Sequence, residues 1–400
     1  MESWKKTLYI SWGIIFIHSA GMGMLAPFLP LYVKELGIID PKAQSAWSGI
    51  LYGVNYLCSA LMAPLWGTIS DKYGRKPLIL RTTFGVSIIA LLMSFATNIY
   101  QLLALRILQG TCGGIVPAFI ALVAFNLPKE KTGQAIGTLQ TAIIMGSIIG
   151  PFIGGIFADW LGYRNVLLVI SSLTFVAAIT TIISIHEPKR DLTKVRATVL
   201  NNIKLVISSP NLRIVAIALF AIQFALFIVL PILPLFIVSL HGTSNSATMV
   251  GLVFAVTGFS TLLFAPYWGK AGDTKGHRNV LLQSLLFTGI AYLPQVFVTS
   301  AYQLLPVRAV IGFFAAGIIT STQSMIVKNT NDAQRGGVLG ITHSLTTCGQ
   351  AMGPLVGGSL GAICGYRIPF ILTALLLISI SFIFRILIKK PVPAAMPKLE

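Results

Sequence analysis

Four polar side chains inside long apolar stretches have the chemistry to bind a polar group or to carry a proton: His18, Arg106, Gln109 and His343. A histidine titrates near physiological pH, so each is a candidate proton carrier, although a neutral, hydrogen-bonded histidine is an equally good interpretation. An arginine within an apolar stretch normally faces a cavity or a partner. Gln109, three residues further on, shares a helix face with Arg106.

Carboxylates are the groups that these stretches lack. The sequence has 11 acidic residues, and none lies in the middle of an apolar stretch. A proton relay of buried carboxylates, or a buried acid that binds a cation, therefore has no residue to form it. Asp71 and Glu35, near the two ends of apolar stretches, are the alternative proton sites.

The elements that position these residues are long and apolar. Hydrophobic residues make up 55% of the 400 positions and charged residues only 10%, against roughly 25% charged in a soluble domain. This composition excludes a soluble enzyme, a disordered protein and a secreted disulfide scaffold. Stretches of about 20 apolar residues predict membrane-spanning helices, since barrel strands are only about 10 residues long. We predict twelve spans, at residues 7–33, 45–69, 77–96, 99–126, 133–158, 163–185, 211–240, 247–269, 278–298, 301–327, 336–361 and 366–388.

Basic residues predict how the chain sits in the lipid bilayer. With the N-terminus inside, 23 Lys and Arg fall in or near the cytoplasmic segments and four fall in the outer ones. Such an asymmetry predicts a multi-pass protein of the inner (plasma) membrane with both termini in the cytoplasm. The net charge of +18 then faces anionic lipid, and we expect no nucleic-acid partner.

The chain repeats itself after about half its length. Five landmarks recur at offsets of 202 to 204 residues, among them Gly67-x-x-x-Asp71 with Gly74, which returns as Gly269-x-x-x-Asp273 with Gly276. The repeat predicts an N-terminal six-helix bundle at 1–185, a cytoplasmic central loop at 186–210 and a C-terminal six-helix bundle at 211–400. A path between two such bundles would pass near the middle of the membrane.

The two repeated segments at 67–76 and 269–278, which we call the inner rim, combine turn glycines with opposite charges. Gly74 can adopt the positive φ of a tight turn, and Asp71 can bond to turn amides, to Arg75 or to a helix N-terminus. A plain basic loop is the alternative, but the repetition favours a conformational latch. Its candidate residues are Gly67, Asp71, Gly74, Arg75, Lys76, Gly269, Asp273 and Arg278.

A glycine-rich face marks the fifth span. Gly146, Gly150 and Gly154 recur every four residues and share one face, which permits close helix packing, while Pro151 permits a bend. Gly155 follows directly. The face is either ordinary helix packing or the contact that seals the two bundles, and both can hold together.

Aromatic and amide side chains on other spans suit a cavity for bulky amphipathic ligands, although each alone is compatible with helix packing. The candidate lining residues are Tyr52, Asn55, Tyr56, Gln140, Gln223, Phe227, Phe314 and Gln350.

No motif for a cofactor is present. The sequence has no G-x-x-x-x-G-K-[ST] loop and no Cys/His metal spacing, and a Gly-x-Gly-x-x-Ala run lies inside an apolar stretch rather than after a strand. We expect no cofactor, no metal and no enzymatic activity.

Several of these motifs resemble those of a known family. Segment 67–76 is similar to the signature loop of the major facilitator superfamily, and Arg106-x-x-Gln109-Gly110 to a second signature. Gly146-x-x-x-Gly150-Pro151-x-x-Gly154-Gly155 is similar to the signature of its antiporters, and Met24-x-x-Pro27-x-x-Pro30-x-Tyr32 to the first helix of its drug/proton antiporters.

The resemblance covers all twelve spans and is nearest to the multidrug efflux branch. It implies twelve transmembrane helices in two pseudo-symmetric six-helix bundles and a monomer. It also implies proton-coupled efflux of drug-like or amphipathic small molecules by alternating access. Many members of that branch carry a mid-membrane acid, which this chain lacks.

Two alternatives remain at this point. One is a proton-coupled or facilitative importer of a small nutrient, such as an amino acid, a sugar or a siderophore. The other is a membrane receptor or scaffold without transport, against which the repetition of the inner rim argues.

Overall fold

The computed structural model describes residues 3–125, 131–185, 187, 208–242, 245–328 and 335–387, and these form helices joined by short turns. Fourteen α-helices follow one another along this part of the chain: α1 (Ser3–Glu35), α2 (Pro41–Tyr73), α3 (Arg75–Ser94), α4 (Ile99–Thr111), α5 (Ile115–Phe125), α6 (Thr132–Leu161), α7 (Tyr163–Ser184), α8 (Pro210–Ile228), α9 (Ile232–His241), α10 (Ser246–Lys275), α11 (His277–Tyr292), α12 (Leu304–Lys328), α13 (Arg335–Cys364) and α14 (Ile368–Leu387). Short 3₁₀ turns at Leu293–Phe297 and Ala301–Gln303 lie between α11 and α12.

Among the described residues, ten helices are long and apolar enough to cross a membrane. They coincide with ten of the twelve predicted spans, of which the seventh consists of two helices, α8 and α9, separated at residues 229–231. Of the other two, the fourth span consists of α4 and α5, and the eleventh is α13. The prediction of an all-α integral membrane fold is confirmed.

The fourth span differs from the expected continuous helix, because it breaks at 112–114. Gly114 has a φ of 106°, a left-handed conformation that only glycine adopts without strain, so α4 ends and α5 starts anew. The equivalent residues 202 positions later are Phe314, Ala315 and Ala316, and there α12 continues without a break.

Single glycines make the turns of the inner rim. Gly74 joins α2 to α3 with a φ of 102°, and Gly276 joins α10 to α11 with a φ of 86°. The positive φ predicted for Gly74 is confirmed, and the repeat extends to backbone conformation.

Backbone contacts join the two halves near the ends of the helices that we predict to face outward, which we call the outer side. There α2 packs on α13 and α6 packs on α10 so closely that a Cβ would not fit at Gly49 against Gly358, or at Gly155 against Ala247. The Ser45 hydroxyl donates a hydrogen bond to the Gly358 carbonyl at 2.9 Å.

The opposite, predicted cytoplasmic ends of the same helices are more open. A Cβ added at Gly67 of α2 or Gly269 of α10 would meet only open space. The halves are therefore closed against each other at the outer side.

Candidate functional site

A cavity of about 130 Å³ lies within the N-terminal half, between α1, α2, α3 and the end of α4. It brings together four residues that the sequence analysis predicted from different spans. Polar and sulfur-containing groups share its wall with a few apolar ones: His18, Met22, Asn55, Tyr56, Ser59, Thr82, Val86, Gln109, Gly110, Cys112 and Gly113. Met22, Ser59 and Cys112 were not predicted, because single small or sulfur-containing residues in a span look like ordinary packing.

Arg106 of α4 is held next to this cavity and is only 2% exposed. Its Nε donates to the Leu51 carbonyl at 3.2 Å, and its Nη1 donates to the side-chain oxygen of Gln109. The Asn55 amide donates to the Arg106 carbonyl at 3.1 Å, and the Arg106 Cζ lies 5.6 Å from the ring centroid of Tyr52. The guanidinium is thus fixed by a carbonyl, an amide and an aromatic ring.

Gln109 links Arg106 to the cavity. Its oxygen accepts from the guanidinium, and its amide nitrogen lies 3.5 Å from the sulfur of Met22 on α1. A group that enters the cavity therefore meets an amide whose orientation Arg106 determines.

His18 of α1 contributes an imidazole to this wall. Its Nδ1 is buried and has no hydrogen-bond partner among the described residues. Buried polar atoms are normally satisfied, so a buried nitrogen without a described partner sets His18 apart from an ordinary packing residue.

His343 lies elsewhere. It is on α13 in the C-terminal half, its side chain is exposed, and it does not line the cavity that contains His18. The structure therefore associates His18 with Gln109 and separates both from His343.

The remaining predicted lining residues fall into separate groups. The ring of Tyr56 meets that of Phe227 from the other half at 5.4 Å, edge to face. The Gln350 amide donates to the Gln223 oxygen at 3.4 Å, and Gln140 is exposed.

Phe314 belongs to an aromatic group of the C-terminal half. Its ring stacks on Phe287 at 5.2 Å and meets Phe313 at 4.9 Å. The neighbouring rings of this group are Phe264, Tyr267 and Trp268.

Arg81 is a further cation within a span, and the sequence analysis did not single it out. Because α3 begins at Arg75, Arg81 lies well inside the helix. Its Cζ sits 3.3 Å from the ring centroid of Trp66, and its Nη2 donates to the Gly113 carbonyl at 2.6 Å. The apolar run Leu78–Leu80 before it is the sequence feature that could have indicated that Arg81 lies within the span.

The inner rim of the N-terminal half is organised by an acid that we did not predict. The carboxylate of Glu187, just after α7, accepts from the backbone N–H of Arg75 at 2.8 and 2.9 Å and from that of Lys76 at 2.9 Å. The Lys76 ammonium donates to the Ile182 carbonyl at 2.9 Å. Glu187 thus caps the N-terminus of α3; the Asp71 side chain lies outside the described residues.

In the C-terminal half the rim uses different partners. Asp273 lies 3.2 Å from His277, and the Arg278 guanidinium donates to the Arg385 carbonyl at 2.6 Å. Arg385 is 203 residues after Ile182, so the bond from the rim cation to the last helix of each half is repeated.

The glycines of α6 serve two neighbours. Gly146, Gly150 and Gly154 pack on Ser19, Ala20 and Met24 of α1, within the same half. Gly155 and Pro151 instead meet α10, at Ala247 and Gly251 of the other half. On α6, the face with Pro151 and Gly155 makes the contact between the halves. The glycine-rich face of Gly146, Gly150 and Gly154 packs within its own half.

Known proteins resemble this chain along its whole length. The sequence matches the profile of the Major Facilitator Superfamily over residues 11–247 and again over 215–400. It is 38% identical over 377 residues to "Multidrug resistance protein MdtG" of Proteus mirabilis (strain HI4320), covering 93% of each chain. It is 35% identical over 380 residues to the protein of that name from Salmonella dublin, again covering 93% of each chain.

Solved structures show the same fold at low sequence identity. The nucleoside transporter NupG superposes with a TM-score of 0.78 at 12% identity, covering 97% of this chain and 99% of that one. A bacterial homologue of the human lysosomal transporter Spinster, inward-facing and unoccupied, gives a TM-score of 0.78 at 13% identity, covering 97% of each chain. With the family match, these confirm the prediction of a transporter and not an enzyme, and the chain is a multi-pass membrane protein of the Major Facilitator Superfamily.

Proposed function

We propose that this protein is a secondary transporter of the inner membrane that exports drug-like or amphipathic small molecules. The observation that carries the proposal is the 38% identity over 93% of the chain to a multidrug resistance protein. The fold supports it, because two repeated halves pack against each other at one end and are more open at the other, an arrangement that suits alternating access.

In this proposal the two halves, 1–185 and 211–400, move against each other, and the segment 186–210 connects them on the cytoplasmic side. Both termini are cytoplasmic. Packing between Gly49 and Gly358 and between Gly155 and Ala247 at the outer side supports a conformation in which substrate enters from the cytoplasm. The protein works as a monomer, because one chain carries both halves.

His18 is the proposed proton carrier. It combines a buried Nδ1 without a described partner with a place on the cavity wall beside Gln109, and no carboxylate lies in the middle of a span. Protonation would add a positive charge close to the fixed charge of Arg106, so a proton and a substrate that contacts Gln109 would compete for the same cavity. His343 is the alternative carrier.

The proposed substrate path combines that polar wall with aromatic rings from both halves. Tyr56 and Phe227 meet across the halves, and Phe314 belongs to an aromatic group of the C-terminal half. Large flat apolar surfaces with a few amides suit ligands of varied shape. The inner-rim residues, including Asp71 and Asp273, would form the latch that closes the cytoplasmic side.

Transport into everted membrane vesicles tests the proposal directly. Vesicles containing the protein are energised by respiration and offered a panel of cationic, neutral and anionic amphipathic compounds. We expect uptake of at least one compound above that of vesicles without the protein, and its collapse on addition of an uncoupler. Absence of uptake across the panel at normal protein levels would contradict export, and accumulation of a nutrient by whole cells would indicate an importer instead.

A further inference from the structure

An acidic side chain joins the two halves at the outer side. The Asp159 carboxylate, near the end of α6, accepts from the backbone N–H of Ala247 at 3.2 Å through one oxygen and from that of Thr248 at 2.7 Å through the other. Ala247 and Thr248 are the second and third residues of α10. Their amides are among those that a helix cannot satisfy internally.

The start of α10 lacks the cap that its own sequence would normally supply. Asn245, which precedes the helix, is left-handed with a φ of 50°, and its side chain makes no capping hydrogen bond. A carboxylate at this place satisfies two amides and interacts favourably with the positive end of the helix dipole. The C-terminal half therefore receives its cap from the N-terminal half.

The related contact between α2 and α13 is built differently. There Asp40 caps its own helix, accepting from Lys42 N at 3.4 Å and Ala43 N at 3.0 Å. The residue 203 positions after Asp159 is Ala362. Only one of the two repeated contacts thus carries a charged bond of this kind between the halves.

The position of Asp159 makes the bond specific to one conformation. Four residues before it on the same helix, Gly155 lies against Ala247 with no room for a Cβ. Separation of the halves at the outer side would therefore break both hydrogen bonds at once.

We propose that Asp159 is an outer latch, whose carboxylate stabilises the conformation closed at the outer side by capping α10 across the interface between the halves. It acts on the conformational equilibrium and does not contact substrate. The role is independent of which compound is carried and of where the proton binds.

Distance measurements between spin labels test this on the full chain in lipid nanodiscs. Labels are attached at Ile39→Cys and Phe297→Cys, which are 76% and 80% exposed in different halves, after replacement of the four native cysteines. We expect Asp159→Ala to raise the ratio of outer-open to outer-closed molecules roughly fivefold, the equivalent of about 1 kcal/mol for a lost helix cap.

Asp40→Ala is the matched control, since it removes a comparable cap that lies within one half. We expect it to leave the distance distribution unchanged. Asp159→Asn, which keeps an acceptor oxygen without the charge, should shift the ratio in the same direction by a smaller factor, and it serves as the test if Asp159→Ala does not fold. An unchanged distribution in the Asp159 variants, or an equal shift in Asp40→Ala, would overturn the proposal; neither result bears on drug export.

Discussion

The two halves share a helical skeleton and differ in the chemistry placed on it. The Trp66 indole donates to the Thr111 carbonyl at 2.7 Å, and 202 residues later Trp268 donates to Phe313 at the same distance. Arg106 and Arg308 are also 202 residues apart, but their surroundings differ. Arg106 is bonded to a carbonyl and an amide beside a cavity. Arg308, 5% exposed, has two guanidinium nitrogens without a partner among the described residues.

This difference indicates a division of labour. The N-terminal half places His18 and Gln109 on the wall of a cavity, with Arg106 bonded to Gln109 beside it. The C-terminal half fills the corresponding region with aromatic rings, such as Phe314 where Cys112 stands in the first half. The repetition preserved the positions of most helices, while the cavity described here, with its histidine and amide side chains, lies in the N-terminal half.

The largest effect is expected for His18→Ala, because the C-terminal counterpart of His18 is Ile222, which has no titratable group. The variant should lose substrate-induced proton release completely if the N-terminal half carries the proton. The measurement is the signal of a pH-sensitive dye in proteoliposomes. His343→Ala is the control and should retain release; unchanged release in His18→Ala would exclude His18.

The two arginines should respond in opposite ways to the same substitution. Arg106→Met leaves Gln109 and the Leu51 carbonyl without their donor, so transport should fall about tenfold, which corresponds to the 1–3 kcal/mol of an unsatisfied buried group. Arg308→Met removes a buried charge with an incomplete set of partners. It should retain transport and stabilise the fold by about 1–4 kcal/mol.

Efflux assays and thermal unfolding of the two purified variants provide the measurement. A loss of transport in Arg308→Met as large as that in Arg106→Met would show that both halves contribute equally.

The break in the fourth span gives a further contrast between the halves. Gly114→Ala places a Cβ on a residue with a φ of 106° and should destabilise the protein by about 1–3 kcal/mol. The counterpart Ala316→Gly lies in a continuous helix and should cost about 0.5–1 kcal/mol. Thermal unfolding of the two variants provides the comparison. A smaller loss of stability in Gly114→Ala than in Ala316→Gly would mean that α4 and α5 can form one continuous helix.

The inner rims differ in their acidic cap. Glu187→Ala should destabilise the N-terminal half by about 1–2 kcal/mol, since three hydrogen bonds to the start of α3 are lost. The counterpart of α3 in the other half, α11, has no side-chain cap at its start among the residues that the structure describes. Glu187→Gln, which keeps an acceptor, should give an unfolding temperature between those of wild type and Glu187→Ala; an unchanged unfolding temperature in Glu187→Ala would contradict the cap.

The smallest effect is expected where the halves agree. Trp66→Phe and Trp268→Phe each remove one indole N–H and leave one carbonyl unpaired, so each should cost about 1 kcal/mol. Thermal unfolding of both variants should give shifts of similar size, with that of Trp66→Phe somewhat larger because the Arg81 guanidinium lies on the Trp66 ring; no shift in either variant would contradict a role for the shared indole hydrogen bond.

Much of the fold could be predicted from sequence because a membrane span requires about 20 apolar residues and the chain repeats its landmarks. The break at Gly114 could not, since a glycine in an apolar stretch serves equally well for packing or for a turn. Arg106 and His18 stand out as polar residues in apolar surroundings. Glu187 and Asp159 do not, because they lie near the ends of spans among other charges.

The partners of these two acids explain why they escaped notice. Glu187 and Asp159 bond to backbone N–H groups, which every residue except proline carries, so no side-chain pattern marks the partner. Arg81 was overlooked for a different reason, since it lies close in sequence to the basic residues of the inner rim. Tertiary packing decides which of many similar charges meets a free helix end.

The glycine contacts at the outer side have a practical consequence. Where Gly49 meets Gly358 and Gly155 meets Ala247, backbone lies directly on backbone, so at these two points no interlocking side chains oppose separation of the halves. Any bulky residue inserted there would act as a wedge. A protein held open in this way would keep a single conformation, which could be used to select antibodies or inhibitors that recognise one transport state.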